Sequence, residues 1–205
     1  QPIAARLIAT ITVTEEVKMS IFQKSDIGAQ AAWKGFSSQT LYIASRLISD
    51  EGGYEYYPED IEDLVVKKNG AIVEAVQVKN ISADLTLSSL AATKTSKGGE
   101  GFFNRMCSLH AQNPFFHRIK VVYFNTLGVE LQEMQSGKAV TQKALTKRLV
   151  DKHGLSESEA VWLIDSLCFE KVNLDDLDLN IQTQISDYVP VMSAPALAKD
   201  LLIQY

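Results

Sequence analysis

Residues 63–79 read DLVVKKNGAIVEAVQVK, two β-rich runs joined by Asn69 and Gly70. An Asn-Gly pair between such runs is the strongest short-range hairpin signal, because both central residues of its tight turn take positive φ. The second run is built of Ile72, Val73, Ala75, Val76 and Val78, and it ends in Gln77 and Lys79. Side chains alternate across a strand, so Gln77 and Lys79 share one face while Val78 takes the other. An amide and an ammonium at the end of an apolar strand need compensation from water or a partner. A carboxylate on the first run would supply it.

Pairing register decides which carboxylate that is. If the loop is Asn69 and Gly70 alone, Glu62 lies opposite Gln77, Asp60 lies opposite Lys79, and Asp63 faces away. If Lys68, Asn69 and Gly70 form a three-residue loop with a glycine bulge, Asp63 and Glu59 join Gln77 and Lys79 on one face. The sequence leaves both registers open. Either one gathers a carboxylate, an amide oxygen and a lysine, the set that phosphodiester hydrolysis needs. Hard oxygen donors hold Mg²⁺, which keeps several waters and takes phosphate oxygens. The ion lowers the pKa of an attacking water, and a lysine orients that water or stabilises developing charge. The bland alternative is a cross-strand ion pair of Asp63 with Lys79, worth ~0.2–1 kcal/mol.

Outward from the hairpin, Ala29, Trp33, Phe36, Thr40, Ile43, Ala44 and Leu47 recur every three or four residues, which predicts an amphipathic helix from Gly28 to about Ile48, ended by Gly52 and Gly53. Residues 54–57 form a short strand stopped or bent at Pro58. Residues 85–112 read as helix interrupted at Lys97, Gly98 and Gly99, and 118–124 as a buried strand. Helices follow at about 138–153, ended by Gly154, and at 157–167, where Ser156 and Glu159 make a capping box. A last strand at 168–172 and helices near 176–188 and 195–204 close the chain. Residues 7–17 suggest a strand, and Met19 opens a segment that reads like a natural start. The expected organisation is an N-terminal extension at 1–18, a core at 19–137, and a mostly helical part at 138–205 packed on or following it. Trp33 and Trp162 are expected in cores.

The chain has 205 residues, 46% of them hydrophobic, and a net charge of −5, enough to bury the core of one α/β domain. Acidic overall balance argues against binding nucleic acid by bulk charge, so the distribution matters more. Residues 49–63 carry seven acids (Asp50, Glu51, Glu55, Glu59, Asp60, Glu62, Asp63) and no basic residue. Residues 67–120 carry eight basic residues (Lys67, Lys68, Lys79, Lys94, Lys97, Arg105, Arg118, Lys120) against three acids. The bland reading of this pattern is a solvated acidic loop beside an ordinary surface, and the sharper one is a cation-binding edge beside a phosphate-binding face. Lys94, Lys97 and Arg105 are the candidates for gripping DNA across a loop at Gly98 and Gly99. The stretch 151–190, with nine acids against Lys152 and Lys171, is expected to face a protein partner rather than DNA. No run approaches 18 apolar residues and the opening segment lacks a signal-peptide core, which predicts no membrane contact and a cytoplasmic location. Cys107 and Cys168 match no paired metal spacing, His110, His117 and His153 are spaced for no metal motif, and no glycine-rich phosphate loop is present.

The spacing of Asp63, thirteen intervening residues and then Gln77-Val78-Lys79 resembles the Asp to Gln-x-Lys variant of the restriction-endonuclease-like (PD-(D/E)xK) superfamily. GFSSQ at 35–39, PEDIEDLVV at 58–66 and AVQVKN at 75–80 resemble more particularly the double-strand DNA endonuclease domain at the N-terminus of bacterial anti-phage (CBASS-type) effectors. The similarity covers about residues 28–125. It implies an αβββαβ core, which is the order read above from the residues. It further implies Asp63 and Gln77 as metal ligands, Lys79 as the catalytic lysine, Gln39 as the helix residue facing the site, and hence the three-residue turn. Glu62 and Glu59 rank second as ligands. One departure is that many superfamily members carry an acid where Gln77 stands. The expectation is a Mg²⁺- or Mn²⁺-dependent endodeoxyribonuclease acting on double-stranded DNA, assembling with itself or with a sensor or ATPase subunit or fused sensor domain. A catalytically silent interaction module of the same fold and an RNA-cleaving nuclease would share these residues.

Overall fold

The computed structural model of the chain describes residues 27–50, 52–91 and 101–188. The expected strand at 7–17, the start at Met19, the loop at Gly98 and Gly99 and the helix at 195–204 lie outside the described residues. Contacts divide the chain between Lys34 and Gly35, and the sheet lies in the unit from Gly35 onward.

The hairpin is built from β2 (Leu64–Lys68) and β3 (Ala71–Lys79). Its turn has two residues, Asn69 at φ 52° and Gly70 at φ 77°, the doubly positive geometry that the Asn-Gly pair favours. Lys68 pairs with Ala71 and Lys67 with Ile72, but then Val66 pairs with Glu74, Val65 with Ala75 and Leu64 with Val76. Val73 is therefore an extra residue in β3, a β-bulge. This corrects both expected registers. The extra residue demanded by the three-residue turn sits within the strand instead of the loop, and it has the same effect on which face each side chain takes. One further step along the register sets Asp63 beside Gln77. Gly70 has no atom within contact range of an added Cβ, so Gly70→Ala is expected to cost only its left-handed backbone strain, about 1 kcal/mol. The midpoint of urea unfolding checks this.

Around the hairpin the order is α1 (Ile27–Ile48), β1 (Glu55–Pro58), β2, β3, α2 (Leu87–Ala91), α3 (Phe102–Gln112), β4 (Arg118–Tyr123), α4 (Val129–Gln135), α5 (Ala139–His153), α6 (Glu157–Ser166), β5 (Leu167–Lys171) and α7 (Leu174–Tyr188). The five strands form one sheet in the order β1-β2-β3-β4-β5, antiparallel through β3 and parallel from β3 to β5. Parallel neighbours need a crossover, and helices α2–α3 and α4–α6 lie between the strands they join. The fold is mixed α/β.

Alternation along the strands gives the sheet two apolar faces. Val65, Ala75, Ile119, Val121 and Phe169 join a core with Leu87, Phe103, Met106, Leu149 and Leu163 from α2, α3, α5 and α6. Leu64, Val66, Val76, Val78 and Val122 join a second core with Tyr42 and Ile43 of α1 and Leu177 of α7. The expected stripe on α1 is only partly right. Ile43 and Ala44 are buried, but so are Ser38, Tyr42 and Ser45, while Phe36 and Leu47 are exposed. Hydroxyl-bearing residues can face the sheet because they find partners there: Ser38 accepts a hydrogen bond from the Asn80 amide and Tyr42 donates to Glu170. Trp33 is also exposed, against expectation, whereas Trp162 is half-buried and stacks on His110.

Leu145, Leu149, Ala160 and Leu163 complete the first core, and β5 extends the sheet. Ser156 and Glu159 form the expected capping box, and Gly154 ends α5 at φ 67°. No described helix is long and apolar enough to cross a membrane.

Candidate functional site

Asp63 and Gln77 meet where β2 begins and β3 ends. The Asp63 carboxylate accepts hydrogen bonds from the Gln77 amide and, at 2.7 Å, from the Val78 backbone N–H. Gln77 is 9% exposed, and Asp63 is half-buried. Lys79 follows two residues on, also half-buried and on the Gln77 face. Because Val65, Ala75 and Val121 hold the α2–α6 face, alternation places Asp63, Gln77 and Lys79 on that side of the sheet. The bulge at Val73 produces this juxtaposition, since without it Asp63 would face α1.

Glu59 approaches from the segment between β1 and β2. It adopts φ 56°, a left-handed conformation costly for a residue with a Cβ, and its backbone N–H bonds to the Asp63 carbonyl at 3.2 Å. Its side chain is exposed and accepts a hydrogen bond from the Gln39 amide. Gln39 thus reaches Glu59 and not the Asp63–Gln77 pair, because α1 packs against the Val78 side of the sheet. It touches the site's rim.

Glu62 stands apart from this group. At 1% exposure it is engaged by Arg105 of α3, with Nε and Nη2 at 2.8 and 2.7 Å from one carboxylate oxygen. The expected ligand and the expected phosphate-gripping arginine bond each other: the chain bends through Glu62 ahead of β2, and the Glu62 side chain is buried against α3. The Arg105 side chain is only 15% exposed, which corrects its placement on a DNA-facing surface. Lys94 and Lys97 lie outside the described residues.

Three of the eight basic residues of the middle stretch, Arg105, Arg118 and Lys120, are paired with acids. Glu74, buried within β3, binds Arg46 at 2.9 Å and Arg118 at 3.5 Å. Glu170 binds Lys120 at 2.9 Å and accepts from the Tyr42 hydroxyl at 3.1 Å. Burial, with Glu170 nearby, pushes the Tyr42 hydroxyl well above its ordinary range. Lys67 lies 4.0 Å over the Tyr57 ring and Lys68 5.1 Å over that of Tyr54. The sequence reading missed this network; its one signal was an acid, Glu74, inside an apolar strand, which burial forces to find cationic partners.

Neither thiol offers chemistry. Burial, reinforced by Glu159, raises Cys107 to about 11, and burial raises Cys168, so both stay protonated near neutrality. His110 Nδ1 lies 3.1 Å from the Phe116 carbonyl and His117 Nδ1 2.7 Å from that of Phe115. His153 packs edge-on to Phe103.

Among the described residues no group of three or more His, Cys, Asp or Glu could hold a metal ion. The donor set around Asp63 nevertheless suits Mg²⁺, which takes one or two carboxylates and keeps several waters. Asp63 supplies the carboxylate. Gln77, already in contact with it, would present its amide oxygen after a half-turn about the terminal torsion, which exchanges NH₂ for oxygen within the same volume.

No family model matches the chain, and no curated protein matches its sequence. Solved structures do resemble it. The Cap4 SAVED/CARF-domain containing receptor of Acinetobacter baumannii aligns at TM-score 0.51 and 15% identity, over 83% of this chain and 41% of the receptor. The same receptor with the cyclic trinucleotide 3'3'3'-cAAA aligns at TM-score 0.51 and 15% identity, over 83% of this chain and 40% of the receptor. The Moraxella osloensis Cap4 receptor aligns at TM-score 0.45 and 19% identity, over 83% of this chain and 41% of that one. The chain spans about two fifths of the length of these receptors. At such identities the likeness to the Acinetobacter baumannii receptor is one of fold.

Proposed function

We propose that the chain is a metal-dependent endonuclease of the restriction-endonuclease-like superfamily, cutting double-stranded DNA as the effector part of a signal-gated anti-phage system. The observation that supports it is the meeting of Asp63, Gln77 and Lys79 on one face at the end of the β2–β3 ribbon. Asp63 and the Gln77 amide oxygen would hold Mg²⁺, which supplies Lewis-acid activation of water when bound. The Val78 N–H fixes the Asp63 carboxylate, so its rotamer is set before substrate arrives. Lys79, at the strand end, places a cation where the phosphoryl oxygens gather charge. Cutting both strands needs two such sites, which calls for pairing of two chains. The cyclic trinucleotide carried by the Acinetobacter baumannii receptor suggests the class of signal that would drive assembly.

A second reading is favoured by the same neighbours, which are receptors, and by the scarcity of anionic ligands around Asp63. In it the domain is a silent interaction module that transmits a bound signal. Supercoiled plasmid incubated with Mg²⁺ or with EDTA, beside an RNA of similar length, separates the two. The nuclease reading expects linear and nicked plasmid in Mg²⁺ only, and loss of cutting by about 100-fold in Asp63→Asn. No metal-dependent cutting by the chain assembled with its activator supports the silent module, and cutting of RNA alone reassigns the substrate.

A further inference from the structure

Lys79 belongs to a row. In the parallel part of the sheet Lys79 pairs with Tyr123 and Tyr123 with Lys171. The three end adjacent strands at one level, and paired residues share a face, so all lie on the side that carries Gln77. Strand spacing sets the Lys79 and Lys171 backbones roughly 10 Å apart, about the axial rise of three nucleotides of one DNA strand at ~3.4 Å each. Beside Tyr123 and Lys171 opens a cleft of about 380 Å³, lined also by Asn125, Thr126, Gln132 and Gln135. It lies beyond the carboxyl ends of parallel strands, where open α/β sheets bind their ligands.

The lining has a consistent polarity. Asn125 donates its NH₂ to the Ser82 carbonyl at 2.6 Å, Gln132 to that of Leu127 at 2.5 Å, and Gln135 to that of Phe169 at 3.2 Å. Main-chain carbonyls thus fix all three amide nitrogens, and each amide keeps its oxygen as an acceptor. Acceptors, a half-buried aromatic ring and one exposed ammonium are complementary to a nucleotide. The ring stacks on the base, the amide oxygens accept from base N–H groups, and Lys171 meets the phosphate.

We propose that this cleft is a DNA-strand subsite next to the cutting centre, with Lys171 as the phosphate contact and Tyr123 as the stacking platform. The inference rests on the nuclease reading for its substrate, and it reverses the expectation that the acidic stretch 151–190 avoids DNA. The test is fluorescence anisotropy of a short labelled DNA duplex with a single-stranded overhang, whose unpaired bases are free to stack, with Ca²⁺ replacing Mg²⁺, over a series of salt concentrations. Lys171→Ala is expected to weaken binding about three- to tenfold and to lower the salt slope by about one. Lys152→Ala, in the same acidic stretch on α5, is expected to change neither. Lys171 is exposed, and unchanged melting of the variant shows that the fold is intact. Equal affinity and slope in wild type and Lys171→Ala, or no duplex binding by wild type, overturns the subsite. Lys171-dependent binding with no Mg²⁺-dependent cutting keeps the subsite and removes the nuclease.

Discussion

Lys79→Ala is expected to lower plasmid cleavage by about 100-fold or more while leaving the melting temperature close to that of wild type. The size follows from where the charge sits. Lys79 ends β3 on the Gln77 face, two residues beyond the amide that touches Asp63. A cation fixed by a strand acts on developing phosphoryl charge without reorganising, and such contacts are worth several kcal/mol in the transition state. The stability cost is small because Lys79 is half-buried at a strand end and not within a core. Lys79→Arg keeps the charge but moves it to a broader fork that a site built for an ammonium does not fit, so little activity is expected to return. Gel quantification of supercoiled, nicked and linear plasmid, with thermal melting of each variant, reads both quantities. Wild-type cleavage by Lys79→Ala with an intact fold would sink the catalytic role.

Why so much of this site could be read from residues 63–79, and where the reading stopped, has a physical explanation. Asn69 and Gly70 fix a two-residue turn by their φ preferences, and alternation then decides which side chains travel together. The bulge at Val73 was not legible, because a β-bulge leaves no mark among Ile, Val and Ala. The resemblance to Asp and Gln-x-Lys nucleases required the correct facing but assigned the extra residue to the turn. Helix α4 was missed because it is seven residues long and begins at Gly128 without a side-chain cap. The ion pairs were missed for a different reason: charge counted along the chain does not reveal charge paired across it. Arg105 and Glu62 are 43 residues apart, the hydrogen-bonded Gln39 amide and Glu59 are 20 apart, and only the packing of α3 and α1 on the sheet brings each pair together. The Lys79, Tyr123 and Lys171 row depends on parallel register, which no local pattern encodes.

Arg105→Ala is expected to destabilise the fold by ~3–5 kcal/mol, lowering the melting temperature by about 10 °C. Its guanidinium lies against a carboxylate that is 1% exposed. Removing the cation takes two short contacts from a buried carboxylate, whose desolvation is then less well compensated. The pair also ties α3 to the segment leading into Asp63, so the damage reaches the site through position and not through lost DNA contact. Replacing both residues by leucine is expected to recover most of the stability, since burial of apolar side chains offsets the deleted pair. A double-mutant cycle by urea unfolding, with duplex affinity measured on the same proteins, distinguishes this from the phosphate-gripping role that the sequence suggested. An anchor gives a large coupling energy and unchanged affinity of the folded fraction. A DNA contact gives weakened binding, a reduced salt slope and a nearly unchanged melting temperature.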